Sequence, residues 1–180
     1  MPAGIANTLR ERTRAEHDRI EEALDWQSRA ADRQSYADWL ERLQGFYSGW
    51  EPALAEAVDD PLFFDERRKL PLLERDLAAL GRPVGPGHEA PLYPFTTQAE
   101  ALGALYVLEG STLGGLLIAA HVRGHLGFEP AFHGGYGKQT AQRWQSLRAR
   151  LDHAIGADEL DASVAAARRT FTTLGEQLTA

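Results

Sequence analysis

Histidine is the residue type with the widest range of chemistry in this sequence, since the chain has six histidines and no cysteine. A neutral imidazole can ligate a metal through one ring nitrogen while the other donates a hydrogen bond that fixes the tautomer. His17 fits this role because it lies on the apolar stripe of an amphipathic segment, one helical turn before Glu21. The alternative is a core histidine that is hydrogen-bonded within the protein.

The other histidines give weaker indications. His121 and His125 are four residues apart on one predicted helix, which is the spacing of a metal-binding pair. Carboxylates at a compatible helical spacing are missing, and Arg123 lies between the two, so we interpret both as surface or packing residues. His88 and His133 fall in predicted loops, where an exposed polar residue needs no further explanation.

A second unusual feature is the concentration of glycines in residues 101–126, a proline-free segment whose Leu, Ala, Val and Ile content predicts a helix. At about 100° per residue, Gly103, Gly110 and Gly114 fall within roughly 40° of one another, and Gly115 adjoins them. Each interior glycine costs about 1 kcal/mol relative to alanine, so this stripe requires a reason. Another backbone packs closely against it, a flat ligand lies on it, or the helix bends there.

A membrane span is a fourth interpretation of this segment, because small residues four apart recur in membrane helices. Three polar residues, Glu109, Ser111 and Thr112, lie near its centre, and the sequence contains no second apolar run. Both observations count against a membrane span.

The composition is that of a globular protein, with 43% hydrophobic and 25% charged residues. A net charge of −7 gives no support for a nucleic-acid partner, which would require a basic face. The N-terminus becomes charged within about ten residues and lacks the hydrophobic segment of a secretory signal. We therefore expect a cytoplasmic protein with a single domain over residues 1–180, a length that suits one domain.

Helical periodicity covers most of the chain, and strand signals are absent, so the sequence predicts an all-α fold. Irregular loops are predicted at residues 81–95, which are rich in glycine and proline, and at residues 127–137, which are rich in glycine. The glycine helix is predicted to begin with Thr96 or Thr97 as its cap and Glu100 as the capping-box partner. The other predicted helices span residues 5–24, 36–58, 62–67, 70–80, 139–155 and 157–178.

Together, His17 and the glycine helix provide what a flat macrocycle between two helices would need. Histidine is a common proximal ligand of haem iron. A glycine face lets the backbone approach the opposite side of the macrocycle and leaves room for a small gas. The haem propionates would require a basic residue at the edge of the pocket, and Arg10, two turns before His17, is the first candidate.

These segments resemble those of the haem oxygenase family. Leu9, Thr13, His17 and Glu21 reproduce the family's proximal-helix pattern L-x-x-x-T-x-x-x-H-x-x-x-E. The sequence YVLEGSTLGG at residues 106–115 resembles its distal helix, whose glycines lie over the haem. The sequence LYVLEGS at residues 105–111 is similar to that of the bacterial branch, some members of which are encoded beside bacteriophytochromes.

The resemblance implies an all-α haem oxygenase-like fold that opens haem to biliverdin, carbon monoxide and ferrous iron. Haem would be both substrate and cofactor, and O2 and an electron donor such as a ferredoxin or a reductase would be required. His17 would be the proximal iron ligand with Glu21 supporting it, and Gly110, Gly114 and Gly115 would be distal contacts. A bilin-accepting phytochrome is a further candidate partner.

This chain departs from the family pattern after the first distal glycine, where many members have an aspartate that organises water for proton delivery. Ser111 occupies that position and can bind water but cannot hold a charge. Gly110, Ser111 and Gly114 are therefore the predicted catalytic surface, with an altered proton path. Glu109 faces about 100° away from Gly110, which leaves its role open.

Further propionate partners are expected among basic residues of the late helices, where Lys138 and Arg143 are candidates by region. A non-catalytic haem carrier or sensor is the alternative function, and the serine at position 111 favours it. A di-iron oxygenase of similar scaffold is disfavoured, because the sequence contains no Glu-x-x-His motif.

Overall fold

The computed structural model describes residues 4–85 and 94–179, and within these ranges it contains helices and no strand. The helices are α1 (Ile5–Arg12), α2 (Arg14–Leu24), α3 (Trp26–Arg29), α4 (Arg33–Ala57), α5 (Pro61–Asp65), α6 (Leu70–Ala79), α7 (Gln98–Leu126), α8 (Ala131–Gly134), α9 (Thr140–Ala154) and α10 (Leu160–Thr179). The all-α prediction is confirmed. Most of the predicted loop at residues 81–95, including His88, lies outside the described residues.

The glycine helix α7 is the central element of the fold. It packs against α10, α8, α9 and α4, while α10 also packs against α2. The aromatic stripe of α4 fills the core beneath it, where Phe46 stacks on Trp50 with ring centroids 4.7 Å apart. Burying aromatic side chains of this size contributes about 1.5–3 kcal/mol each, so α4 and α7 hold a large share of the stabilising apolar contact.

The first predicted helix, residues 5–24, is divided in two at Thr13. Thr13 has φ −112° and ψ 9°, outside the helical range. Its hydroxyl donates to the carbonyl of Leu9 at 2.8 Å, and its backbone N–H donates to the same carbonyl at 2.9 Å. Threonine side chains compete in this way for helical carbonyls, which the apolar spacing alone did not reveal. His17 therefore belongs to a separate helix, α2.

Two short helices lie where the sequence predicted irregular chain. α3 falls in the polar segment after α2, and α8 lies inside the predicted loop at residues 127–137. The carboxylate of Asp76, from α6, accepts hydrogen bonds from the N–H groups of Ala131 and Phe132 at 2.8 and 2.9 Å. A helix of four residues has little stability of its own. A side chain distant in sequence therefore holds α8 in place.

The start of α7 agrees with the predicted cap. Thr97 is the N-cap residue, and its hydroxyl accepts from the N–H of Glu100 at 3.2 Å. In return the Glu100 carboxylate accepts from the N–H of Thr96 at 2.7 Å. By length and composition α7 could cross a membrane, but 61% of its most apolar window is buried inside the fold. Core helices of globular domains share these properties.

Candidate functional site

A cavity of about 1210 Å³ lies between α2 and α7, with walls from α1, α4, α9 and α10. Protein pockets for small molecules commonly measure about 300–1,000 Å³, so this one can hold a large ligand. Of the residues predicted to form the site, the cavity brings together Arg10, His17, Glu21, Gly110, Ser111, Gly114 and Gly115. Lys138 and Arg143 are absent from its lining.

His17 lies on the α2 side of the cavity with 49% of its side chain exposed. The Nε2 atom lies 3.5 Å from Oε1 of Glu21, and the Nδ1 atom lies 3.5 Å from Oδ1 of Asp18. The ring of Phe171 meets the imidazole edge to face at 5.8 Å. The interpretation of His17 as a buried core residue is wrong, because the apolar face of α2 borders an open cavity at this point.

Four of the five glycines of α7 divide into two groups. A Cβ atom added to Gly103 would lie 2.2 Å from the carbonyl oxygen of Ser163, and one added to Gly115 would lie 3.1 Å from that of His133. These two glycines permit close packing of other backbone segments. At Gly114 a Cβ atom would meet nothing within 4 Å, and at Gly110 the nearest atom, in the Trp144 ring, is 3.9 Å away. Both of these line the cavity.

Ser111 lies beside these two glycines on the cavity wall. Its hydroxyl donates to the carbonyl oxygen of Leu108 at 2.7 Å, which leaves the serine oxygen able to accept a hydrogen bond from a ligand or water. Burial raises the pKa of the neighbouring Tyr47 phenol well above its usual value, Glu51 adds to the increase, and a hydrogen bond with Ser111 opposes it. Tyr47 is therefore a neutral phenol on the same wall.

Glu109 does not reach the cavity. It is 3% exposed and lies in a buried charge cluster that we define as Glu109, Arg67, Lys69 and Tyr136. The carboxylate is 3.6 Å from Nε of Arg67 and 3.9 Å from Nζ of Lys69, and it accepts a short hydrogen bond from the Tyr136 hydroxyl. Burial lowers the pKa of Lys69 to about 8, although Glu109 opposes this shift. Glu109 is thus engaged away from the cavity wall at Ser111.

Cationic side chains reach the cavity from its α1 and α2 edge, where Arg10 and Arg14 line it. Tyr106 lies there too, and its pKa is raised by burial and lowered by the nearby Arg10. The Arg143 guanidinium lies instead over the Tyr136 ring, 4.3 Å from its centroid, and Lys138 is exposed. The geometry supports Arg10 as an anion partner and gives no support for Lys138 or Arg143.

Sequence reasoning missed several residues of the cavity wall. Trp39 and Tyr47 lie on the aromatic face of α4 at helical spacing, which is typical of core residues, yet both line the cavity. The sequence predicts His133 as an exposed loop residue, yet it is 5% exposed and lines the cavity. Helical periodicity cannot separate a core position from a cavity wall, and no local signal identifies a loop residue that folds inward.

The arrangement fits a haem molecule. One wall offers an imidazole that no protein group covers completely, and the opposite wall offers two glycines whose missing side chains leave open space. Apolar and aromatic side chains, among them Phe171 and Trp144, form much of the rest of the lining. Arg10 and Arg14 supply positive charge at one edge, which also carries the carboxylates of Glu11 and Asp18. A flat, apolar, iron-containing dianion requires these features.

Comparison with known proteins agrees with this geometry. The protein named "Heme oxygenase" from Xanthomonas campestris pv. campestris (strain 8004) is 34% identical to this chain over an alignment of 144 positions, which covers 73% of this chain and 76% of the relative. The NO- and CO-bound heme oxygenase from Neisseria meningitidis has a similar fold, with a TM-score of 0.77 and 19% identity over 97% of this chain and 90% of that chain. The family described as Heme oxygenase matches residues 3–179, so this chain belongs to the haem oxygenase family.

Proposed function

We propose that this haem oxygenase opens haem to biliverdin, carbon monoxide and ferrous iron, with haem held between α2 and α7 and His17 as the axial iron ligand. The observation that carries the proposal is that His17 and the open glycines Gly110 and Gly114 line one cavity from different helices. Haem, when bound, supplies the oxygen chemistry and is itself oxidised, while the protein orients it and controls access.

On the α2 side, the carboxylates near His17 prepare the imidazole for iron. Oε1 of Glu21 and Oδ1 of Asp18 each lie 3.5 Å from one ring nitrogen, a separation longer than a formed hydrogen bond, and a small side-chain movement would bring either close enough to accept the ring proton. An acceptor of this kind fixes the tautomer, leaves the other nitrogen free for a metal and increases its basicity. We assign Glu21 this supporting role.

On the α7 side, Gly110 and Gly114 bring bare backbone to the macrocycle and exclude large axial ligands. Gly115 contributes differently, because its missing side chain makes room for the backbone at His133. Ser111 offers a hydrogen-bond acceptor at this wall, since its own proton is donated to the Leu108 carbonyl. A water molecule beside Ser111 and Tyr47 would serve for proton delivery where other family members have a carboxylate.

At the α1 and α2 edge, Arg10 and Arg14 provide the positive charge that the propionates require. Guanidinium groups bind carboxylates with paired hydrogen bonds and remain charged at all relevant pH values. The phenol of Tyr106 lies near Arg10 and adds a hydrogen-bond donor to the same edge. We assign the propionates to this edge, in place of the region of Lys138 and Arg143.

Electrons must come from outside the chain, and we propose a ferredoxin or a reductase as the donor. The cytoplasm is the proposed location, because reduced donors and haem are available there. A phytochrome that accepts bilin remains a candidate consumer of the product.

The test is a titration with hemin followed by a reductant and a ferrous-iron chelator in air. We expect stoichiometric binding, then loss of the Soret band and growth of the broad red absorption of biliverdin. The His17→Ala variant should lose the native axial coordination and its spectrum, since no other described residue offers an imidazole on the α2 wall of the cavity.

His153→Ala is the matched control, because His153 is exposed and does not line the cavity. It should bind and cleave haem as the wild type does. An unchanged ferric spectrum in His17→Ala would contradict the ligand assignment, and stable haem binding without biliverdin under several donors would contradict the proposed reaction.

A further inference from the structure

A second histidine, His133, lies in the cavity wall next to α7. It is 5% exposed, and its ring packs against Trp39 with centroids 4.7 Å apart and against Phe132 at 4.9 Å. Its backbone lies against Gly115, where an added Cβ atom would be 3.1 Å from the His133 carbonyl oxygen. The imidazole is thus held on the same side of the cavity as the glycine face.

The protonation state of this histidine follows from its neighbour Tyr36. The Tyr36 hydroxyl and Nδ1 of His133 are 2.8 Å apart, and Tyr36 is 0% exposed. Among the described residues the Tyr36 hydroxyl has no other hydrogen-bond partner, and a buried hydroxyl proton requires an acceptor. Tyr36 therefore donates to Nδ1, and the imidazole proton resides on Nε2.

Both members of this pair are neutral at physiological pH. Burial lowers the pKa of His133 to about 3 and raises the pKa of Tyr36 well above its usual value. The His133 ring is therefore a fixed N–H donor and does not act as a pH-dependent acid in the neutral range.

The Nε2 atom of His133 has no protein partner among the residues that the structure describes, although the ring is almost completely buried and lines the cavity. The adjacent ring atom, Cδ2, lies 3.7 Å from the position of a Cβ atom on Gly115, so this edge of the ring is turned toward α7. Nε2 is not among the fully enclosed side-chain atoms that lack a partner, so it is reachable from the cavity, where water or a ligand oxygen can accept its hydrogen bond.

We propose that His133 donates a hydrogen bond from Nε2 to an oxygen atom in the cavity on the glycine-helix side, and that it positions water and small polar ligands there. This inference rests on the proposed function, because it takes the iron face opposite His17 as the place where such ligands bind. Ser111 offers an acceptor on that wall and His133 a donor, so water held between the two walls would have a defined orientation.

The test measures fluoride affinity and the water-to-hydroxide transition of the ferric haem complex in His133→Phe and His133→Gln. Fluoride and hydroxide are stabilised by a nearby donor. A neutral hydrogen bond contributes about 0.5–1.5 kcal/mol, so fluoride should bind about 2- to 10-fold more weakly to His133→Phe. The hydroxide transition of this variant should move to higher pH. Glutamine also carries an N–H group at its tip, so His133→Gln should recover much of both effects.

His153→Phe is the matched control, since it changes an exposed histidine outside the cavity, and it should leave both measurements unchanged. Equal fluoride affinity and an equal hydroxide transition in the wild type and His133→Phe would overturn the inference. So would equal losses in His133→Phe and His133→Gln, since that result would indicate a packing role. Failure of the wild-type protein to bind hemin would instead overturn the proposed function, so the two failures are distinguishable.

Discussion

The residues of the cavity show how burial decides what a histidine can do. His17 and His133 line the same cavity, yet one is half-exposed beside two carboxylates and the other is almost completely enclosed by aromatic rings. The first has a ring nitrogen that a metal can reach from the cavity. The second is restricted by Tyr36 to one neutral tautomer, so its chemistry is limited to hydrogen-bond donation.

The enclosed state of His133 predicts a pH-dependent stability difference. An unfolded histidine has a pKa of about 6.5, whereas the pKa of His133 in the folded protein is about 3. Between these values the unfolded chain binds a proton at this site that the folded protein does not bind. The free energy of unfolding should therefore fall as the pH decreases from about 6.5 toward 3.

The measurement compares urea unfolding of the wild type, His133→Phe and His153→Phe at several pH values between 7 and 4. The His133→Phe variant should show a shallower loss of stability toward low pH, whatever its stability at pH 7. Tyr36, the hydrogen-bond partner of this histidine, and Asp76, whose charge acts on Tyr36, are present in all three proteins. Parallel pH profiles for wild type and His133→Phe would contradict the assignment of a depressed pKa.

At the scale of the helix, α7 uses glycine for two different purposes on one face. Gly103 lies against the α10 backbone at Ser163, where a side chain would require the two helices to separate. Gly110 and Gly114 lie farther along, where the same face borders the cavity. One small-residue stripe therefore serves helix packing near the N-terminus of α7 and ligand access near its centre.

Substitutions of these glycines by alanine should change stability in opposite directions. Gly103→Ala should lower the free energy of unfolding by about 2 kcal/mol, because its Cβ atom would be 2.2 Å from the Ser163 carbonyl oxygen. Gly114→Ala should raise it by up to about 1 kcal/mol, since the helix gains propensity and the Cβ atom meets nothing within 4 Å. Denaturant unfolding of the protein without haem measures both changes.

For hemin binding, in contrast to stability, a substitution at Gly114 should be more harmful than one at Gly103. Gly114→Leu should fold but bind hemin and small axial ligands weakly, because the leucine side chain would occupy the open space of the cavity. The folded fraction of the Gly103→Ala variant should bind hemin with nearly wild-type affinity. Normal turnover by Gly114→Leu would contradict the role of this glycine in haem access.

At the scale of the whole molecule, the buried charge cluster joins parts of the chain that are far apart in sequence. Arg67 and Lys69 precede α6, Glu109 lies in α7, and Tyr136 follows α8. The Nζ atom of Lys69 also lies 3.6 Å from the centroid of the Tyr136 ring. In addition, Glu51 of α4 accepts a hydrogen bond from the N–H of Leu70 at 3.0 Å and so fixes the start of α6. The cluster thereby fixes the wall behind Gly110 in relation to the rest of the fold.

Replacement of the Glu109 carboxylate should strongly destabilise the fold. In Glu109→Gln, two buried cations would lose their counter-charge, and removing one partner of a buried pair costs about 3–5 kcal/mol. Denaturant unfolding at pH 7 should show a loss of this size, although Glu109 does not line the cavity. The control is Glu129→Gln, which removes the partner of Arg123 in an exposed pair and should cost less than about 1 kcal/mol. Equal effects of the two changes would contradict the cluster's role.

The sequence alone determined the all-α class, the N-terminal cap of the glycine helix and the two motif segments that line the cavity. These features depend on residues three or four positions apart, and such spacing is a local property of a helix. Local information was nevertheless insufficient at Thr13, where a side-chain hydrogen bond to the Leu9 carbonyl interrupts a periodic segment. The propionate assignment to Lys138 and Arg143 likewise rested on region without a spacing rule.

The tertiary structure decided the properties that depend on contacts between distant segments. Asp76 holds α8 in place, and His133 of α8 lines the cavity. The α10 backbone at Ser163 packs against Gly103, whereas Gly114 of the same helix faces open space. The position of Glu109 among Arg67, Lys69 and Tyr136 was equally hidden, because all its partners lie at least 27 positions away. The sequence specifies the type of each side chain, but its burial, protonation and partners depend on the segments that fold against it.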